Sequence, residues 1–143
     1  MPLIVVTPSG IGTQTYIVGA VDVEALMAVV VGSDGTVSPV YPTTIDTDGN
    51  GNPIYPVVSG VSLNAANSGE DVTLAVGYGA IYEYDQATWN PGGLLYVAED
   101  ATLTQNYESV VNLGWIMIVG RAVSTTQFVF QPHIPNLMDM GTF

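Results

Sequence analysis

The chain has almost no basic side chains. Lysine is absent, and Arg121 and His133 are the only side chains that can carry a positive charge, against 13 acids. The formal net charge is −12 at pH 7. Nucleic-acid-binding proteins neutralise phosphates with clustered Lys and Arg, and anionic membrane surfaces attract the same clusters. The composition therefore excludes direct nucleic-acid binding and predicts no membrane partner, and it indicates that any charged partner is basic.

Cysteine and long apolar runs are also missing. Without Cys the chain has no disulfide, no thiolate metal site and no Cys nucleophile. Its longest apolar run, residues 25–31, falls far short of the roughly 20 residues that a membrane-spanning helix needs. The first residues carry no basic stretch and no cleavage-like site, so we expect no signal peptide.

The chain is instead rich in aliphatic and uncharged polar residues. Hydrophobic residues make up 48% and charged residues 10%, whereas charged residues average about 25% of a soluble domain. The surface must therefore be built mainly from Thr, Ser, Asn, Gln and Tyr. At 143 residues the chain is expected to form a single domain, residues 1–143, with a substantial core.

The spacing of glycine and proline along the sequence is typical of β-structure. Glycine and proline recur along the chain, with short runs of Val, Ile, Thr, Tyr and Phe between them. Residues 22–30 are read as a strand, with a short helix capped by Asp22 as the alternative. The pattern predicts an all-β fold, an antiparallel β-sandwich or β-barrel. The other predicted strands are residues 3–7, 13–19, 37–42, 52–58, 71–76, 80–85, 93–99, 101–105, 114–123 and 127–131.

Residues 114–131 predict a hairpin whose first strand is buried on both faces. Trp115 to Val119 are all apolar, "STT" then reverses the chain, and Phe128 and Phe130 share one face of the returning strand. Arg121 follows the apolar block by two residues. A carboxylate partner best stabilises a lone guanidinium at this position, so we predict a salt bridge within the fold or across subunits. A ligand-binding role for Arg121 is the alternative.

Both ends of the chain are predicted to be extended arms, residues 1–12 and 133–143. The C-terminal segment contains Leu137, Met138, Met140 and Phe143 but has no core pattern. Apolar ends are expected to be covered by something, and a neighbouring copy of the chain is a suitable candidate.

"DTDGNGN" at residues 46–52 is the sharpest local motif. Asp46, Asp48 and Asn50 occupy the first, third and fifth positions of a calcium loop, and Gly51 the sixth. The twelfth position, normally Glu, is Val57. We therefore interpret the segment as a turn and predict no metal, with a weak calcium site as the alternative.

No residue pattern indicates catalysis. Glu70–Asp71, Glu99–Asp100 and Glu83/Asp85 are close pairs of acids, but a glycosidase needs two carboxyls facing each other across a cleft. His133 lies between Pro132 and Ile134 and has no nucleophile motif to serve, which favours a surface or interface position. We predict that the chain is not an enzyme and uses no cofactor.

Trp89 stands in a polar loop, residues 84–93, together with Gln86 and Asn90. Exposed aromatic rings stack on sugars and also occur at protein interfaces. The loop is interpreted as an anchor or a subunit contact, with a carbohydrate-binding platform as the alternative.

Two stretches of the second half resemble a module of tailed-bacteriophage virion proteins, among them head decoration (cement) proteins and fibre proteins. The stretches are "GGLLYVAEDATLTQ" (92–105) and "IMIVGRAVSTTQFVFQP" (116–132). They are similar to the module's strand and turn, its "V-G-x-A-x-S-x-T" segment and its closing apolar strand. Where the family usually has Gly in the turn, this chain has Asp100 or Ala101.

The resemblance implies a virion structural protein, commonly trimeric and without catalytic residues. Trimerisation would also cover apolar sheet edges that otherwise invite aggregation. We therefore expect a homotrimeric decoration protein that binds the major capsid protein on the outside of a phage head and stabilises capsomer contacts. The alternative is a tail- or head-fibre domain that binds host-surface glycans.

Overall fold

The structure is a computed structural model that describes residues 3–5, 12–54, 56–133 and 136–137. The first eight strands are β1 (Leu3–Val5), β2 (Thr13–Val18), β3 (Ala28–Val31), β4 (Thr36–Pro39), β5 (Asp46–Thr47), β6 (Pro53–Ile54), β7 (Gly60–Ser62) and β8 (Asp71–Ala75). The other seven are β9 (Ile81–Tyr84), β10 (Leu94–Val97), β11 (Leu103–Thr104), β12 (Trp115–Ile116), β13 (Ile118–Ala122), β14 (Gln127–Phe130) and β15 (Asn136–Leu137). A 3-10 turn, Tyr107–Ser109, is the sole helical element of these residues. None of their helices is long and apolar enough to cross a membrane. The predicted all-β class is confirmed.

The first half of the chain forms a closed five-stranded barrel. Its strands follow the order β2-β4-β3-β7-β8, and β8 pairs with β2 to close the ring. A ring with an odd number of strands cannot alternate direction throughout, so at least one neighbouring pair must be parallel. That pair is β2 and β4, where Ile17 lies beside Thr36. The barrel prediction therefore holds, but the expectation of a purely antiparallel fold is wrong at this one seam.

Five strands of the second half and the N-terminal strand β1 form a six-stranded antiparallel sheet, in the order β1-β9-β14-β13-β10-β11. The predicted hairpin is confirmed for β13 and β14, which pair with Ala122 opposite Phe128 and Gly120 opposite Phe130. Its predicted first strand, residues 114–123, is divided, because Trp115 and Ile116 form β12, which pairs with β15. Both phenylalanines are buried. Between β10 and β13 the register shifts by one residue, which leaves Val119 as the extra residue of a bulge.

The barrel packs on the inner face of this sheet. In β3 the side chain of Val29 joins the cluster inside the barrel, while Ala28 joins the cluster between barrel and sheet. This alternation is the two-residue period of a strand buried on both sides. Within the barrel, Gly60 lets β7 lie close to β8, because a Cβ atom on Gly60 would lie 2.7 Å from the carbonyl oxygen of Ala75.

A β-turn between β10 and β11 also reaches the barrel. Ala101 has a φ of 74°, a conformation that favours glycine. Its carbonyl oxygen accepts a hydrogen bond from the backbone N–H of Ala28 at 2.8 Å, and its methyl group is fully buried. The turn therefore holds Ala101 at a strained backbone angle, and the methyl group of Ala101 is buried in the cluster inside the barrel.

Several predicted strands are shorter than expected. Of residues 22–30 only the end belongs to a strand, β3, and the helical alternative is wrong, because Val23 and Met27 make isolated β-bridges instead. Strand β7 was not predicted, since Gly60 and Ser62 are poor strand formers.

The two predicted arms contain strands that pair within the same chain. In the N-terminal segment, β1 is the edge strand beside β9. In the C-terminal segment, β15 pairs with β12. The remaining arm residues, 1–2, 6–11, 134–135 and 138–143, lie outside the described residues.

Candidate functional site

Three of the acids are used to shape turns. The Oδ1 atom of Asp34 accepts hydrogen bonds from the backbone N–H and the hydroxyl of Thr36, at 3.0 and 2.8 Å. Asp100 does the same with Thr102, at 3.1 and 2.5 Å. These bonds hold the pKa of both carboxyls below the usual range, with backbone donation the larger cause at Asp34 and hydroxyl donation at Asp100. Such carboxylates stay ionised and are unsuited to act as general acids.

Residues 46–52, predicted to be a turn with a weak calcium site as the alternative, form a turn at the tip of the ribbon made by β5 and β6. Asp48 accepts from the backbone N–H groups of Asn50 and Asn52 at 2.8 and 3.0 Å, and these bonds lower its pKa. The backbone N–H of Asp48 donates to the carbonyl oxygen of Asn52 at 2.9 Å. Both bonds to the carboxylate fall on Oδ1, as in a turn that an Asp side chain closes over the residues after it.

The other candidates for chemistry are scattered over the surface. Glu99 and Asp100 line a shallow depression with Ala98 and Ser109, and His133 is exposed. In the part of the chain that the structure describes, no group of three or more His, Asp or Glu side chains could hold a metal ion. The structure therefore does not bring the acidic pairs and His133 together.

Trp89 anchors its loop to the core. Its ring meets Phe128 edge to face, with ring centroids 5.5 Å apart, and it packs against the cluster between barrel and sheet. The backbone of Asn90 in the same loop is fixed by Gln105, which donates to its carbonyl oxygen and accepts from its N–H. This arrangement favours the anchor interpretation, since a sugar platform needs an exposed ring face.

Arg121 is exposed on the outer face of the six-stranded sheet. It stands opposite Leu94 of β10 on one side and Val129 of β14 on the other. Among the described residues, no carboxylate forms a salt bridge with it. The predicted pairing within the fold is therefore not found there, and the predicted pairing across subunits stays a prediction.

Another surface feature is an apolar groove that the sequence did not reveal. It lies between the barrel and the β5–β6 ribbon and has a volume of about 250 Å³. Apolar side chains form most of its lining, and Asp46 and Thr44 stand at its polar edge. We call this the ribbon groove; its apolar lining residues are Val30, Pro39, Val40, Tyr41, Ile54, Pro56 and Val57.

The ribbon groove is unusually exposed for an apolar surface. Ile54 is 50% exposed and Val57 62% exposed, and neighbouring Ile45 is 47% exposed. Single exposed apolar residues are common, but a contiguous exposed apolar patch beside polar groups is typical of a contact surface. The residues come from β3, β4, β6 and the segments next to them, so no local sequence pattern could have shown that they meet.

No known protein family has a model that matches this sequence, and a search of curated proteins finds no significantly similar relative.

Proposed function

We propose that the protein is a capsid decoration protein of a tailed bacteriophage. It binds the major capsid protein on the outside of the head and stabilises contacts between capsomers by binding energy alone, without catalysis. The resemblance of residues 92–105 and 116–132 to virion modules motivates the proposal. The exposed ribbon groove carries it, because a contiguous exposed apolar patch rimmed by polar residues is typical of a surface that binds another protein.

The charge distribution suits this role. With 13 acids and a formal net charge of −12, the protein would be repelled by packaged nucleic acid and would remain on the outside of the particle. Asp46 at the edge of the ribbon groove adds a negative charge beside the apolar surface. A capsid surface with an apolar protrusion flanked by Lys or Arg would complement it.

The decoration protein would act as a homotrimer whose terminal segments, residues 1–12 and 133–143, exchange as arms. Strand β1 is a three-residue edge strand, and β15 is half of a two-stranded pair. A neighbouring copy could supply either strand with the same backbone hydrogen bonds, which is the usual route of domain swapping.

Particle binding tests the proposal directly. Heads of the virus that encodes the chain, stripped of it or produced without it, are mixed with purified protein and sedimented. We expect the wild type to cosediment and to raise the temperature at which the heads rupture. Ile54→Asp and Val57→Asp each place a charge in the ribbon groove and should weaken attachment at least about tenfold, because an unpaired carboxylate is costly to bury.

The matched control is Val21→Asp. Val21 is 48% exposed and lies outside the ribbon groove, so this variant should bind like the wild type. Absence of the chain from purified virions, or no binding to stripped heads, would overturn the proposal. Particles that rupture normally without the protein but no longer adsorb to host cells would identify a fibre-type adhesin instead.

A further inference from the structure

The six-stranded sheet leaves one face away from the barrel. Its inner-face residues Tyr82, Leu95 and Phe128 are fully buried against the barrel, whereas side chains that point the other way are half-buried or exposed. We call this surface the outer sheet face; it includes Glu83, Leu94, Ile118, Arg121, Val123, Gln127 and Val129. Four of these seven are aliphatic, so the face is mainly apolar.

The charges on this face are opposite and separated by one strand. Arg121 on β13 stands opposite Val129 of β14, and Glu83 on β9 stands opposite Gln127 of the same strand. Two strand spacings and a two-residue offset place their Cα atoms roughly 12 Å apart. Glu83 receives only a weak hydrogen bond from Gln127, at 3.4 Å, and it forms no salt bridge with Arg121 within the described residues.

We propose that the outer sheet face binds a second copy of this chain, and that Arg121 of one copy pairs with Glu83 of the next. Charge complementarity carries the choice of occupant. The one arginine of the chain forms no salt bridge among the described residues and can pair with an acid, and the same face presents one, Glu83, on the opposite side of β14. Every copy therefore offers both halves of the pair, so the contact is self-complementary.

The position of the two charges also suits a closed ring. If the strands run along a symmetry axis with β14 nearest to it, the Arg121 flank of each copy faces the Glu83 flank of its neighbour. The aliphatic centre around Val129 then packs at the axis and excludes water from the charge pairs. This inference rests on the assembly part of the proposed function and names its contact surface.

Charge reversal tests the pairing in the full-length chain. Arg121→Glu and Glu83→Arg should each weaken self-association at least about tenfold, measured as the dissociation constant by analytical ultracentrifugation. The double variant Arg121→Glu/Glu83→Arg restores opposite charges and should return to within about threefold of the wild type. Circular dichroism before each run verifies that the variants are folded.

General repulsion between acidic chains makes a different prediction. Each Glu→Arg change removes one negative and adds one positive charge, so Glu83→Arg takes the formal net charge from −12 to −10. Repulsion alone would make that variant associate more tightly than the wild type, whereas loss of the pair makes it associate more weakly. Glu99→Arg, an exposed acid outside the outer sheet face, carries the same change in net charge and should not weaken association.

A folded wild type that stays monomeric, or a double variant no better than the singles, would overturn this inference. Dimers that obey the same charge-swap pattern would support the contact and contradict the trimer of the proposed function. Loss of particle binding in the groove variants alone would leave the contact between copies standing.

Discussion

At the scale of single residues, Tyr82 joins the two halves of the fold. Its side chain is fully buried and stacks on Phe128, with ring centroids 5.4 Å apart. The hydroxyl donates to the carbonyl oxygen of Gly12, just before the barrel begins, and accepts from the backbone N–H of Gly77 at 3.0 Å. Burial raises the pKa of this phenol, so the hydroxyl keeps its proton and remains a donor.

Tyr82→Phe should therefore destabilise the protein by about 1–2 kcal/mol, the usual cost of a lost buried hydrogen bond. The ring would still fill its place beside Phe128, so the change isolates the hydroxyl. Urea unfolding followed by circular dichroism measures the loss. Tyr84→Phe is the control, because that hydroxyl bonds Gln86 on the exposed surface and its removal should cost little. Equal stabilities of the two variants would contradict this account of Tyr82.

At the scale of elements, the close pairing of β13 with β14 depends on a glycine. Gly120 faces Leu95 of β10 and Phe130 of β14, and a Cβ atom there would lie 1.9 Å from the carbonyl oxygen of Val129. That atom belongs to a neighbouring strand, so a methyl group fits only if β13 and β14 separate.

Gly120→Ala should therefore cost at least about 3 kcal/mol, at or above the upper range for overpacking a core, since backbone must move. Denaturant unfolding would measure this loss of stability. A variant that does not fold would lack the near-ultraviolet circular dichroism signal of packed aromatic side chains. Gly49→Ala serves as control because nothing lies within 4 Å of its Cβ position. A Gly120→Ala protein as stable as the wild type would show that the sheet is not arranged as described.

Strands and turns could be predicted from the sequence where the residues that determine them are close together in the chain. The β13–β14 hairpin could be predicted because apolar blocks and a short polar turn lie side by side in the chain, and Phe128 and Phe130 were correctly placed on one face. The parallel contact of β2 with β4 could not, since it follows from closing a five-stranded ring and not from either strand alone. The ribbon groove was missed for the same reason: Val30, Tyr41 and Val57 meet only after the chain has folded.

At the scale of the whole molecule, the unbalanced charge should weaken the fold. The chain has thirteen acids and one arginine. Folding brings these like charges closer together than they are in the unfolded chain, which costs free energy. Hydrogen bonds to turn acids such as Asp34 and Asp48 stabilise individual carboxylates, but they leave the net charge unchanged. Screening by salt shortens the reach of the repulsion from about 30 Å at 0.01 M to about 8 Å at 0.15 M.

The melting temperature should therefore rise with ionic strength over that range, by about 3–5 °C if the relief is near 1 kcal/mol. NaCl and KCl should act alike, because screening at these concentrations depends on ionic strength and not on the identity of the cation. Salt could also raise the melting temperature by promoting association, so the scan is run at two protein concentrations, and a concentration-dependent shift is assigned to assembly. A melting temperature that is flat or falls with salt would contradict this account, because it would show that the net charge of −12 does not weaken the fold.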